Sequence, residues 1–386
     1  MTYIIFLCNI VKNRMGEDFC NLIIEHRQLD AAMEQGKALI QSEDVREERE
    51  MFKYVVKRLL LGCVVLLGVI TITFILCRVV PSDPVSKIVG TRATPEQRER
   101  ARIELGLDQP LITQYAIYLK DLLNGDLGTS LRTKQPVVSE LKEYIPSTVE
   151  LVFMSMVIAI AIGIPLGIYS ARKKDQLLDH FCRFFSVGAV SLPTFWTALF
   201  LQLIFYRVLN WLPLGGQVDV MVMLSNNVPK TTGFMLIDCL IAGNSTVFLD
   251  VLKHMILPAV TISLYPMGLV AKMTRASLVE VLSEEYIKSA RSYGLKERLV
   301  MWKYALKNTL GTTVTVVATC IGYTLINTFL VEAIFSWPGL GTYVSSSVMN
   351  MDTPAIMGAT LFSAVMYVIL NLIADVIIAM DPRVRA

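Results

Sequence analysis

Six long runs without a charged side chain constrain this sequence more than any other feature. They cover residues 59–77, 151–171, 184–206, 255–271, 309–331 and 353–374. A helix rises about 1.5 Å per residue and needs about 20 apolar residues to cross a bilayer core. Five of the six runs have 19 residues or more; the fourth has 17, with Pro258 and Pro266 inside it. Lys272 just beyond can extend it by snorkelling, and the prolines predict a kink. Unpaired backbone groups are not tolerated in lipid, so these runs must be helices. The composition agrees: 54% of residues are hydrophobic and 18% charged, against about 45–50% and about 25% in soluble domains. The expected fold class is an all-α integral membrane protein with six transmembrane helices. A disordered chain, a collagen and a small disulfide scaffold are excluded.

Orientation follows from the basic residues of short loops. Lys53, Lys57 and Arg58 precede the first run, and Arg172, Lys173, Lys174 and Arg183 lie between the second and third. Eight more, from Lys272 to Lys307, lie between the fourth and fifth, and Arg383 and Arg385 follow the sixth. The connection 332–352 has no Lys or Arg. Both termini are therefore expected in the cytoplasm.

Residues 1–50 do not share this pattern. They hold 6 basic and 10 acidic residues, whereas 51–386 hold 30 and 23. The overall net charge of +3 thus averages an acidic segment with a basic membrane core. Two expectations stand for 1–50: a cytosolic extension, or a start placed too early, with initiation at Met51. The balance does not point to nucleic acid. Seven cysteines lie scattered without a C-x-x-C pair, and His26, His180 and His254 lie outside the apolar runs. We expect no metal site, no cofactor and no catalytic residue. His254 reads as a structural hydrogen-bonding group. Glu332, at the end of the fifth run, reads as a snorkelling charge or one with a structural partner.

The outer loop 78–147 reads as structured. Thr94-Pro95-Glu96-Gln97 has the signature of a capping box with Pro at the first helical position, and Gly106 should stop that helix near Leu105. Residues 111–123 carry Leu111, Tyr115, Leu119 and Leu122 at helical spacing, with Gly125 beyond. Residues 137–144 should add a turn or two before Pro146. The stretch 233–249, half apolar with Asp238 inside, reads as one re-entrant or interfacial helix.

The most informative segment is 275–308. Polar helices flank Gly294, a residue suited to a left-handed helix stop. After it, Leu295, Leu299, Trp302 and Leu306 share one face at a 3.6-residue period. Periodicity alone leaves two readings open: a helix pair that docks into another protein, or a helix pair lying on the membrane surface.

This loop resembles the EAA loop of ABC importer permeases. Lys288, Ser289 and Ala290 fall on Glu-Ala-Ala of that pattern, Gly294 on its glycine, and Tyr304, Leu306 and Lys307 on its Ile, Leu and Pro. Only Ala290, Gly294 and Leu306 match strictly. Ser289-Ala290-Arg291-Ser292-Tyr293-Gly294-Leu295 is closer to the peptide and nickel branch, which commonly has T-A-R-A-K-G-L there. Similar to the same branch are 78–85 (RVVPSDPV), 105–111 (LGLDQPL), 125–130 (GDLGTS), 331–341 (VEAIFSWPGLG) and Asp381-Pro382-Arg383. The resemblance covers about 51–386, the expected permease domain.

What the resemblance implies is a type I ABC importer permease, a multi-pass protein of the inner membrane. It would pair with a second, homologous permease subunit, bind two ATP-binding subunits through the coupling loop, and receive ligand from an extracytoplasmic substrate-binding protein. The coupling residues would be Glu285, Lys288, Ser289, Ala290, Arg291, Gly294 and Leu295. The chain would not be an enzyme, since it lacks the G-x-x-x-x-G-K-[ST] phosphate loop. Di- or oligopeptides are the expected cargo, supported by 231–238, which looks more like peptide-type relatives. A nickel or metallophore permease is the alternative. A secondary transporter would need ionisable groups deep in the runs, and the first five have none.

Overall fold

The computed structural model describes residues 53–78, 85, 89–90, 93–104, 106–226 and 228–379. The expectations for 1–50 lie outside these. The chain divides into two compact units, Met1–Leu61 and Gly62–Ala386. The first is described only over 53–61, the opening turns of a helix.

That helix, α1, runs Lys53–Arg78 and is apolar on nearly all sides. Past residue 61 it leans on one amphipathic helix, α3 (Leu111–Leu123). Phe74 meets the Tyr115 ring edge-on and stacks on Tyr118, and the Thr71 hydroxyl is 2.7 Å from that of Tyr115. Before α3 comes α2 (Pro95–Glu104), opened by the expected capping box. The Thr94 N–H donates to Gln97 Oε1 at 3.0 Å, and the Gln97 N–H donates to Thr94 Oγ1 at 3.3 Å. Gly106 follows in the left-handed region at φ 63°.

The core is built on α4 (Val137–Arg172) and α9 (Ser245–Leu282), which pack along each other. Both contain two prolines and stay helical through them. Residues 137–144 are therefore not a separate short helix. Pro146 lies inside α4, where it removes one N–H but does not end the helix. The fourth run, the shortest by apolar length, lies within a helix of 38 residues.

The third run departs furthest from a straight span. It forms α5 (Leu177–Ser191) and α6 (Thr194–Leu201), the latter continuing as a π-helix over Gln202–Val208. The two parts meet at 106°. Leu192 stands at φ −75°, ψ 131°, the extended conformation that a following proline favours. The stretch 233–249 is likewise not one helix. After α7 (Val220–Ser225), a short α8 covers Met235–Ile241, and Gly243 at φ 65° breaks the chain before α9. Asp238 is buried and folds back on the turn before it, accepting from the Thr232 N–H and hydroxyl and from the Gly233 N–H. Burial alone would raise its pKa; those hydrogen bonds outweigh burial and hold the carboxyl below the ordinary value.

After α9 come α10 (Glu285–Ser292), α11 (Glu297–Ile334), α12 (Leu340–Met349) and α13 (Thr353–Ala379). Among the described residues, α1, α4, α9, α11 and α13 are long and apolar enough to cross a membrane, and the bent pair α5–α6 makes a sixth candidate.

Two clusters mark the ends of the bundle. At the basic end, Ile168, Ala171 and Leu278 pack with Ile287, Ala290, Val300, Met301 and Ala305. At the opposite end, Val137, Leu141, Leu340, Tyr343, Ala355 and Ala359 pack together. There Asp352 accepts from the Ser130 hydroxyl and the N–H groups of Leu131 and Arg132, tying the end of the 125–130 motif to the start of α13.

Candidate functional site

The helix α10 is short, polar and held at the basic end between two spans. It leaves α9 after only Ser283 and Glu284. Ile287 and Ala290, three residues apart, point into the cluster at that end. The other side of the helix is solvent-facing: Glu285, Tyr286, Lys288, Ser289, Arg291 and Ser292 are all exposed. The expected coupling residues thus divide by role. Ala290 and Leu295 seat the helix, whereas Glu285, Lys288, Ser289, Arg291 and Gly294 are presented outward.

Gly294 stands at φ 74°, and its N–H closes the helix on the Arg291 carbonyl at 2.9 Å. This is the left-handed stop expected from the sequence. Two local ion pairs stiffen the surface. Lys288 Nζ lies 2.8 Å from Glu285 Oε1, and Arg291 forks onto Glu297 at 2.7 and 3.3 Å. The Arg291 fork bridges the turn and fixes α10 against the start of α11. The Asn308 amide donates to the Tyr286 hydroxyl at 2.6 Å, a second tie to α11.

The apolar stripe expected on the second helix is divided: Leu295 and Leu306 pack on the cluster at the basic end, whereas the two residues between them do not. Leu295 precedes that helix, and Leu299 and Trp302 are exposed. The buried positions are Val300, Met301 and Ala305. The reason is winding: Val300–Ala305 is π-helical. A π-turn advances the chain less per residue and turns side chains away from their 3.6-period positions.

One group was not singled out from the sequence. Asp179, near the start of α5, is fully buried and accepts four hydrogen bonds. Arg275 of α9 donates to it through Nε at 2.6 Å and Nη2 at 2.7 Å, Ser170 of α4 through its hydroxyl at 2.5 Å, and Asp175 through its N–H at 2.9 Å. Arg183 lies 3.7 Å away. One carboxylate therefore locks three helices together, through an arginine that lies ten residues before α10 begins. The visible signal was slight: an acid among Arg172, Lys173, Lys174 and Arg183.

At the opposite end Glu332 is not a snorkelling charge. It is wholly buried, with Oε2 accepting from the Gly341 N–H at 2.5 Å. The Trp337 indole N–H donates to the Ser147 carbonyl, and the Leu340 N–H to the Thr148 hydroxyl. A Cβ on Gly339 would fall 2.5 Å from the Glu332 carboxylate, so the turn requires glycine there. The motif 331–341 is thus a plug that fastens α11 to α4. His254 has the structural role expected, its Nδ1 2.9 Å from the Asp250 carbonyl.

Comparison with known proteins gives a consistent picture. Residues 163–386 match the model of the binding-protein-dependent transport system inner membrane component, and 51–152 match that of its N-terminal part. A probable D,D-dipeptide transport system permease protein, DdpB of Escherichia coli, is 41% identical over 83% of this chain and 94% of its own length. The dipeptide transport system permease protein DppB of Alkalihalophilus pseudofirmus is 38% identical over 87% of this chain and 100% of its own. The di/tripeptide permease protein DppB of Pseudomonas aeruginosa is 35% identical over 87% and 99%.

Proposed function

The chain belongs to the inner-membrane components of binding-protein-dependent transport systems, and from that premise we propose how it works as a peptide-importing permease subunit. It pairs with a second homologous permease, and the two enclose the pathway. Two ATP-binding subunits hydrolyse ATP on the cytoplasmic side, and a substrate-binding protein delivers short peptides from the other. Both termini and α10 face the cytoplasm, as the basic loops require. The relatives reported above are named for peptides, and no observation favours nickel or a metallophore.

The observation that carries the coupling reading is the seating of α10. Its inner face is buried between α9 and α11, its outer face is free, and its ends are pinned by the Arg291–Glu297 fork and the Tyr286–Asn308 bond. A partner that grips the outer face moves both spans, because the loop has no slack. The Asp179–Arg275 pair passes that motion to α5 and α4. Closure of the ATPases is thereby converted to rigid-body rocking and alternating access.

The test is uptake of a labelled dipeptide into proteoliposomes holding the permease pair, the ATPases and the binding protein. Uptake that needs ATP and is competed by other dipeptides, not by Ni²⁺, is the expected result. ATP-independent uptake or no uptake would refute the assignment.

A further inference from the structure

The break between α5 and α6 leaves a half-open cavity of about 380 Å³ along the apolar part of the chain. Its walls come from three elements: Ser191, Pro193 and Thr194 at the break, Tyr265 on α9, and Tyr323 and Asn327 on α11. All lie within the apolar runs 184–206, 255–271 and 309–331.

Three features make this a poor surface for lipid. First, the break ends one helix and begins another. The last carbonyls of α5 and the first N–H groups of α6 lose their intrahelical partners, and Pro193 has no N–H to offer. Non-helical backbone at membrane depth is tolerated only where it is buried in protein or lines a watery cavity. Second, the outward face of α11 is not uniformly apolar. Thr312, Thr319 and Tyr323 are exposed on it at positions seven and four residues apart, with Asn327 one turn further on. Third, the Tyr265 and Tyr323 rings stack at 4.3 Å and form a flat wall.

The chemistry of the lining selects an occupant. Besides the apolar side chains of Val190, Leu192, Phe195, Ile326 and Leu330, it has the Asn327 amide, the hydroxyls of Ser191 and Thr194 and the two tyrosines, but no carboxylate, thiol, imidazole or cation. A metal ion finds none of its preferred side-chain ligands there. A peptide carries amide donors and acceptors of its own, and unpaired backbone groups can satisfy them whatever its side chains. The uncharged lining holds neither terminus tightly, and passage requires release as well as entry.

We propose that this cavity is a station on the translocation path where the moving peptide is contacted. Tyr265, Tyr323 and Asn327 are specificity-determining contacts, and the broken backbone on either side of Pro193, whose own carbonyl is taken by Thr197, supplies amide groups. This rests on the peptide-importer reading above.

The test uses the full complex in proteoliposomes, with the thiol background of the wild-type chain measured first. Ser191→Cys and Asn327→Cys should react with a membrane-impermeant thiol reagent, and saturating dipeptide with its binding protein should slow that reaction. Leu199→Cys, exposed on α6 outside the cavity, should react only with a lipid-soluble maleimide. In uptake, Asn327→Ala should raise KM for some dipeptides by about fivefold, the scale of one lost hydrogen bond, and Tyr323→Ala by a similar factor through loss of its ring face. Leu199→Ala, outside the cavity, should leave KM and ATP hydrolysis unchanged, and Tyr323→Phe, which keeps the ring face, should retain wild-type selectivity. A cavity closed to the impermeant reagent with and without ATP, in a complex that imports peptide, overturns this inference alone; lipid or the second permease then covers it. An unchanged peptide profile in both Tyr323→Ala and Asn327→Ala does the same. A wild-type complex that imports no peptide overturns the importer reading and this inference with it.

Discussion

Gly294 was legible from its neighbours: a glycine between two polar helices reads as a left-handed stop, and φ 74° is what the structure has. A Cβ there would meet open space, so the cost of substitution is conformational. An L-residue pays about 1–2 kcal/mol in that region, more if β-branched. Gly294→Ala should keep most uptake. Gly294→Val should lose coupling, and Gly294→Pro should lose it altogether, because proline also removes the N–H that closes α10 on Arg291. The check is uptake per ATP hydrolysed at equal membrane content; normal coupling in the proline variant would contradict the role given to α10. Asp179 teaches the reverse lesson. Nothing in its surroundings in sequence tells of Arg275, 96 positions away, and its importance comes wholly from where α9 passes. Breaking a buried pair costs about 3–5 kcal/mol, because the other charge is left unpaired. Asp179→Asn should therefore lower thermal stability in detergent more than Lys288→Ala, whose exposed partner contributes little. The double change Asp179→Leu with Arg275→Met removes both charges and should recover much of the lost stability.

At the scale of elements, local signals did best where the element is made by its own residues. The capping box of α2 and the span of α3 are such cases, since a cap needs only residues three apart. Thr94→Ala should weaken α2 by about 1 kcal/mol, seen as faster amide exchange over 95–104 with no change in α4. Signals failed where neighbours decide. Pro146 reads as a stop, but inside α4 the lost N–H is one bond among many in a 36-residue helix packed on α9. Pro193 reads as just another residue of an apolar run, yet there the chain turns by 106°. The apolar stripe after Gly294 is divided for another reason. A 3.6-residue template assumes α-winding, and Val300–Ala305 does not wind that way.

For the whole molecule, the distribution of charge carries most of the architecture. Set aside the acidic first 50 residues, and the remaining chain is basic at one end of its spans. The clusters obey this division: the one that seats α10 lies with Arg172, Lys272 and Arg275, and the one that seats α12 lies at the other end. The topology proposed from it is testable at one atom. Tyr293 is 86% exposed at the tip of the turn. Tyr293→Cys should be labelled by an impermeant thiol reagent from the cytoplasmic side only, and addition of the ATP-binding subunits should protect it. Labelling in intact cells from outside would reverse the orientation.

The sequence by itself determined the number and placement of the apolar runs, the outer-loop helices, the left-handed stop at Gly294 and the family pattern around it. These depend on a residue and others within a turn or two, or on bulk transfer of apolar side chains into lipid. Only the tertiary structure decided the bend in the third span, the burial of Glu332 under its glycine-rich turn, the Asp179 lock and the cavity that the bend leaves. Each of these is a contact between segments far apart in the chain. Its energy comes from desolvated polar groups meeting across helices, which no local pattern encodes.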